Sequence, residues 1–119
     1  MAAKVISDSL SRRRVDAASA VGRILTQLRD EPQNPRVFGW STRFAEIGAA
    51  LDDSEESDGA ALAIAKDLFD RLYVGGRNIS DFYLVREDFE EQRIVNLNFE
   101  EKVETLGRIL DEGTDNDVS

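Results

Sequence analysis

Carboxylates are the commonest chemistry-bearing side chains in this sequence, and their spacing limits what they can do. Adjacent pairs stand at Asp52-Asp53, Glu55-Glu56, Glu87-Asp88, Glu90-Glu91 and Glu100-Glu101. Two carboxylates share a proton, flank a scissile bond or hold a cation only when they converge. Neighbours on a helix point about 100 degrees apart and do not converge. Glu87 with Glu91, and Glu100 with Glu104, are four apart and share a helix face. The chain has no histidine and no cysteine, the side chains that most often move protons, attack electrophiles or bind transition metals near neutral pH. The calcium-loop pattern is absent, and no second acidic helix is placed to complete a di-metal site. The sequence therefore predicts no catalysis, no metal and no cofactor.

What remains is binding. With 24 acids against 15 bases the chain carries a formal charge of −9, and the charge is uneven. Residues 52–58, DDSEESD, hold five acids and no base; from Glu87 onward there are eleven acids against Arg93, Lys102 and Arg108. Such a molecule repels phosphate backbones, so direct nucleic-acid binding is not expected. Arg12-Arg13-Arg14 is the contrary feature, read as a helix face pairing with nearby acids. No apolar run is long enough to span a bilayer, and Met1–Leu10 lacks the apolar core of a secretory signal. With no cysteine, a reducing compartment fits, and a cytoplasmic bacterial or phage-type protein is expected.

The length, 119 residues, and a 41% hydrophobic content suit one domain with one modest core. Apolar residues recur at helical spacing in four places. Leu10, Ala17, Val21, Ile24 and Leu28 predict a first helix over about 7–30, stopped by Glu31-Pro32-Gln33-Asn34-Pro35. Val37, Trp40, Phe44, Ile47 and Leu51 predict a second over 39–51, capped by Ser41 or Thr42, with Trp40 in its core stripe. Leu62, Ala65, Leu68 and Leu72 predict a third over 58–73, capped by Ser57 or Asp58. Phe99, Val103, Leu106 and Leu110 predict the last, with Asn98 and Glu101 as its capping box and Gly113 as its stop. Residues 77–96 have no clean period and are read as a short helix from Ser80 or an extended segment. The fold class is all-α: a compact bundle of four main helices over 1–113, with an irregular segment before the last and a flexible acidic tail over 114–119.

Between the third helix and the irregular segment lies Gly75-Gly76-Arg77-Asn78-Ile79-Ser80-Asp81. Consecutive glycines could expose amides to an anion. The plainer reading, which the sequence favours, is a glycine closing one helix and Ser80 or Asp81 opening the next.

Three segments together carry a resemblance: FGWSTRFAEIGAALD (38–52), LYVGGRNISDFYLV (72–85) and NLNFEEKVETLGRIL (96–110). In order and spacing they resemble a small bacterial family described only as a domain of unknown function. It has a tryptophan-bearing helix, a leucine-rich helix, a Gly-Gly turn with serine and acid, and a terminal helix. The likeness covers roughly 20–110, with Ser80 and Asp81 adjacent here rather than separated. It implies a helical fold. Small families of this kind often sit beside toxin genes as immunity proteins.

The expected function is a non-catalytic protein-binding module, most concretely an immunity or antitoxin-like inhibitor that occludes a basic bacterial toxin. Asp52, Asp53, Glu55, Glu56, Glu87 and Asp88 would steer the partner. Tyr73, Arg77, Asp81, Phe82 and Tyr83, around the glycine turn, would form the contact, with Phe82 and Tyr83 as its buried centre. Two alternatives use the same composition: an acidic nucleic-acid mimic blocking a defence enzyme, and a structural homodimer.

Overall fold

The structure is a computed structural model. It describes the backbone of residues 2–76 and 78–118, and the side chains of residues 9–76 and 78–111. Its elements in chain order are α1 (Ala2–Arg29), α2 (Pro35–Asp52), α3 (Asp58–Arg71), a single 3-10 turn (Ile79–Asp81) and α4 (Phe89–Val118). No strand occurs among the described residues. α1 packs on α2 and α4, α2 on α3, and α3 on α4, giving an up-down-up-down four-helix bundle.

The apolar stripes form the core as their spacing predicts, except that Leu10 and Leu68 only pack against it, half-buried. Ala17, Ala20, Val21, Ile24 and Leu28 of α1 meet Val37, Phe44, Ile47 and Leu51 of α2 in one core. Leu62, Ala65 and Phe69 of α3 and Phe99, Val103, Leu106 and Leu110 of α4 complete it. Phe44 is fully buried and meets the edge of Phe99 at 6.3 Å between centroids. Removing that ring would cost about 3–5 kcal/mol, the usual loss for a buried Phe truncated to Ala. Trp40 is only half-buried and rests against the core rather than within it.

Several boundaries differ from expectation. α2 begins at Pro35, four residues before Gly39, because Asn34 caps it: the Asn34 side-chain oxygen accepts from the Arg36 and Val37 amides at 3.0 Å each. Pro35 is then the first helical residue, where its missing N–H costs nothing. Ser41 and Thr42 are interior, not caps; the Thr42 hydroxyl donates back to the Phe38 carbonyl. α4 begins at Phe89 rather than beyond Asn98, with Asp88 accepting from the Glu91 amide at 2.9 Å. Asn98 and Glu101 therefore lie inside a helix. Gly113 does not stop α4, which continues to Val118.

Residues 72–76 and 78–88 cross the top of the bundle between α3 and α4. Neither reading of 77–96 covers the whole stretch: a 3-10 turn over Ile79–Asp81 comes first, then a non-helical run over 82–88, extended at Phe82 (φ −82, ψ 135), and residues 89–96 already belong to α4. Along that run side chains alternate. Phe82 and Leu84 are buried, whereas Tyr83 and Val85 face solvent. The crossover thus plugs the core with every second residue, the two-residue period of extended chain.

Candidate partner-binding site

The acidic stretch 52–58 is shaped by an arginine. Arg14 of α1 donates from Nε to the Leu51 carbonyl at 2.6 Å, and from its two Nη atoms to the Asp53 and Glu56 carbonyls. It also pairs with Asp58 Oδ1 at 3.1 Å. Leu51 and Asp53 sit at the C-terminal end of α2, where carbonyls lack partners within the helix. One planar guanidinium satisfies several of them together, a task that suits arginine's rigid fork. Within the loop, Asp53 also accepts from the Glu55 amide at 3.0 Å. Asp52, Asp53 and Glu55 remain exposed, and Glu56 is half-buried.

At the opposite end lies the crossover. α2 separates the two places, and its 18 residues span about 27 Å at 1.5 Å each. The expected steering residues are therefore split. Asp52, Asp53, Glu55 and Glu56 lie at one end; Asp81, Phe82, Tyr83, Glu87, Asp88 and Tyr73 gather at the other.

The glycines at that second end do not close α3, which ends at Arg71 with Leu72 as its C-cap; they lie in the turn that follows. Gly75 takes φ +98, a left-handed conformation that suits glycine. Asn78, not Ser80 or Asp81, opens the 3-10 turn: its side-chain oxygen accepts from the Ser80 amide at 2.9 Å, while its amide donates to the Gly75 carbonyl at 3.0 Å. The Ile79 amide donates back to the Leu72 carbonyl at 2.8 Å. Arg77, expected at the contact, lies outside the described residues.

Four side chains hold the run that follows. Asn96 of α4 accepts from the Leu84 amide at 2.7 Å and donates to the Leu84 carbonyl at 2.8 Å. Gln92 accepts from the Arg86 amide at 3.0 Å. Arg36 of α2 donates to the Asp81 carbonyl at 3.2 Å and lies over the Phe82 and Tyr83 rings, 5.8 and 5.5 Å from their centroids. Arg86 makes two bonds to Glu31, the buried carboxylate of the α1–α2 loop, and that contact raises the Arg86 pKa above its ordinary value. The outward residues Tyr83 and Val85 are thereby presented on a fixed backbone.

Phe82 corrects an expectation. Its ring is buried against Phe99 at 5.6 Å and Trp40 at 6.1 Å, so it belongs to the core and reaches the surface only at the edge of a cavity. Tyr83, 52% exposed, takes its place at the surface. Asp81 and Glu87 are exposed as expected, whereas the Asp88 carboxylate is engaged in opening α4.

Beside the turn an open cavity of about 220 Å³ is bounded by Tyr73, Ile79 and Phe82 from the crossover, and by Phe99, Glu100 and Glu104 from α4. Tyr73 leans on Phe69 at 5.6 Å. Burial first, and the Glu104 charge second, raise the Tyr73 pKa above its ordinary value, so the phenol is neutral at pH 7. Glu100 and Glu104 were not expected at the site, although their spacing of four placed them on one face. Nothing in the sequence signals that the crossover folds back on that face. Among the described residues, no group of three or more acids converges to hold a metal.

No helix is long and apolar enough to cross a membrane among the described residues. Compared with protein-family models, with curated proteins and with solved structures, the chain matches none, so the likeness drawn from 38–52, 72–85 and 96–110 rests on those residues alone.

Proposed function

We propose that this protein is a non-catalytic binding module whose contact surface is the crossover end of the bundle, and that it acts as an immunity or antitoxin-like inhibitor by covering a basic protein. One observation carries the reading: Tyr83 and Val85, 52% and 68% exposed, project from a backbone pinned by Asn96, Gln92, Arg36 and Glu31. A rigidly presented aromatic loses little entropy on binding, which is what makes tyrosine effective at interface centres. Exposed carboxylates at Asp81, Glu87, Glu100 and Glu104 lie at the same end of the bundle and favour a cationic partner.

The distribution of charge supports a local patch over mimicry of a phosphate backbone. Arg36 stands within the crossover end itself, and Arg43 is exposed farther along α2 between the two acidic ends. On α4, Arg93 and Arg108 interrupt the run of acids. A phosphate-like array would need unbroken negative charge.

The test is a tagged full-length bait, followed by association kinetics with the captured protein across ionic strength. A basic partner in a 1:1 complex, with an on-rate falling steeply as salt rises, supports the reading. A salt-independent on-rate, or a complex unaffected by Tyr83→Ala, overturns it. Self-association is the second reading, favoured by Phe89, Ile94 and Leu97 of α4, which stand 77%, 50% and 44% exposed. Sedimentation at micromolar concentration decides it: a 13.3 kDa species removes the dimer.

A further inference from the structure

We infer that the cavity between Tyr73, Phe82, Phe99, Glu100 and Glu104 receives one lysine or arginine side chain of the partner. The inference rests on the protein-binding reading above and names what that surface grips.

A long basic side chain has an apolar stem and a charged tip, and it is best served by a site with the same two parts. The cavity has both. Ile79, Phe82 and Phe99 are core residues whose outer edges form its apolar wall, and Tyr73 stands opposite as a half-exposed ring. Glu100 and Glu104, both exposed and one helical turn apart, place two carboxylates on the same edge. Among the described residues, the ion pairs of the protein lie elsewhere and engage neither glutamate.

Other occupants fit worse. An anion would be repelled by both carboxylates. An uncharged apolar side chain would strip water from them without offering a donor, which carries a penalty. A guanidinium or ammonium satisfies both carboxylates while its stem covers the apolar wall. The Tyr73 phenol, kept neutral at pH 7 and close enough to feel Glu104, adds a hydroxyl at the same edge. The cavity holds about 220 Å³, room for a side chain and not for a helix or strand.

The probe is N-acetyl-arginine amide, titrated into the isotopically labelled full chain and followed through backbone amide shifts. Its uncharged isostere, N-acetyl-citrulline amide, is the comparison. For a ligand of this size, affinity on the order of 1 mM is expected. Saturable shifts at Tyr73, Glu100 and Glu104, about tenfold weaker for citrulline and about tenfold weaker in Glu100→Gln/Glu104→Gln, support the inference. Both glutamates are exposed, so the double variant is expected to fold, and its thermal melt checks this. No saturable shift, equal affinity for the two probes, or indifference to the double variant overturns it. Partner capture separates the two proposals. A double-variant bait that binds the partner as tightly as the native protein removes the cavity from the interface and leaves the binding module standing. Arginine-specific shifts in a protein whose partner complex ignores Tyr83→Ala leave the cavity standing and remove Tyr83 as the centre of the contact.

Discussion

Asn96 on α4 closes both backbone hydrogen-bonding groups of Leu84, at 2.7 Å and 2.8 Å, as a neighbouring strand would. In a bundle without strands among the described residues, a single amide side chain substitutes for a sheet partner, and Leu84 is buried beneath it. The crossover is thus attached to α4 through side chains.

Asn96→Leu should therefore be destabilising by about 2 kcal/mol, because it leaves a buried N–H and a buried C=O unpaired. Asn96→Asp should be at least as damaging: it keeps the acceptor but loses the donor and sets a charge against the Leu84 carbonyl. Urea unfolding measures the loss, and hydrogen exchange at the Leu84 amide localises it. Unchanged protection at Leu84 in both variants would show that Asn96 does not anchor the crossover.

Arg14 predicts a second loss at the other end. Arg14→Met keeps the stem but strands the carbonyls of Leu51, Asp53 and Glu56, at a cost of about 2–3 kcal/mol. Arg14→Lys should recover only part of this, since an ammonium cannot fork across several acceptors. Asp58→Asn should cost less than about 1 kcal/mol, because the ion pair is partly open to water. Limited proteolysis within 52–57 should rise in the order wild type, Arg14→Lys, Arg14→Met.

Two helical glycines should respond in opposite directions to alanine. A Cβ at Gly22 meets nothing within 4 Å, so Gly22→Ala should stabilise by up to about 1 kcal/mol through helix propensity. A Cβ at Gly107 would stand 3.0 Å from Cζ and 3.2 Å from Cε2 of Phe69, a ring wedged between α3 and α4. Gly107→Ala should lower the melting temperature despite the same propensity gain. In a Phe69→Leu background its effect should turn favourable, which a double-mutant cycle reads directly.

High pH should loosen the bundle. Lys66 has a raised pKa, chiefly through its hydrogen bonds to Asp111 and Asp70, and Tyr73 a raised pKa, chiefly through burial. In both cases the folded protein holds the proton more tightly than the unfolded chain, whose values are 10.0 for tyrosine and 10.5 for lysine. The contribution is complete below those values and is lost as pH climbs from about 10 through the folded pKa values. Tyr73→Phe should flatten the tyrosine part of that slope. In Tyr83→Phe the one remaining phenol should ionise above 10.0 by ultraviolet titration.

Much of the fold is legible in residue spacing. The stripes of α1, α2, α3 and α4, the break at Pro32 and Pro35, and the Ser57 cap all follow from periodicity and cap chemistry, and Ser57 accepts from the Ala60 amide at 3.2 Å. The start of α4 is not legible, because Phe89, Ile94 and Leu97 face solvent and give its first turns no apolar period. Asn98 and Glu101 offered a nearer cap of plausible spacing, but a continuing helix satisfies the same amides. Pro35 closes that break and also opens α2, at the helical position that tolerates proline.

By itself, the sequence determined that four amphipathic helices must bury one shared core, and that its surface would be acidic and without histidine or cysteine. Those properties depend on neighbours a few residues apart. Only the tertiary structure decided that Arg14 wraps the acidic loop, that Glu31 meets Arg86, that Phe82 turns inward, and that Glu100 and Glu104 border Tyr73. Each joins residues from different elements, and such pairings depend on how the helices and the crossover pack together, which no local periodicity encodes.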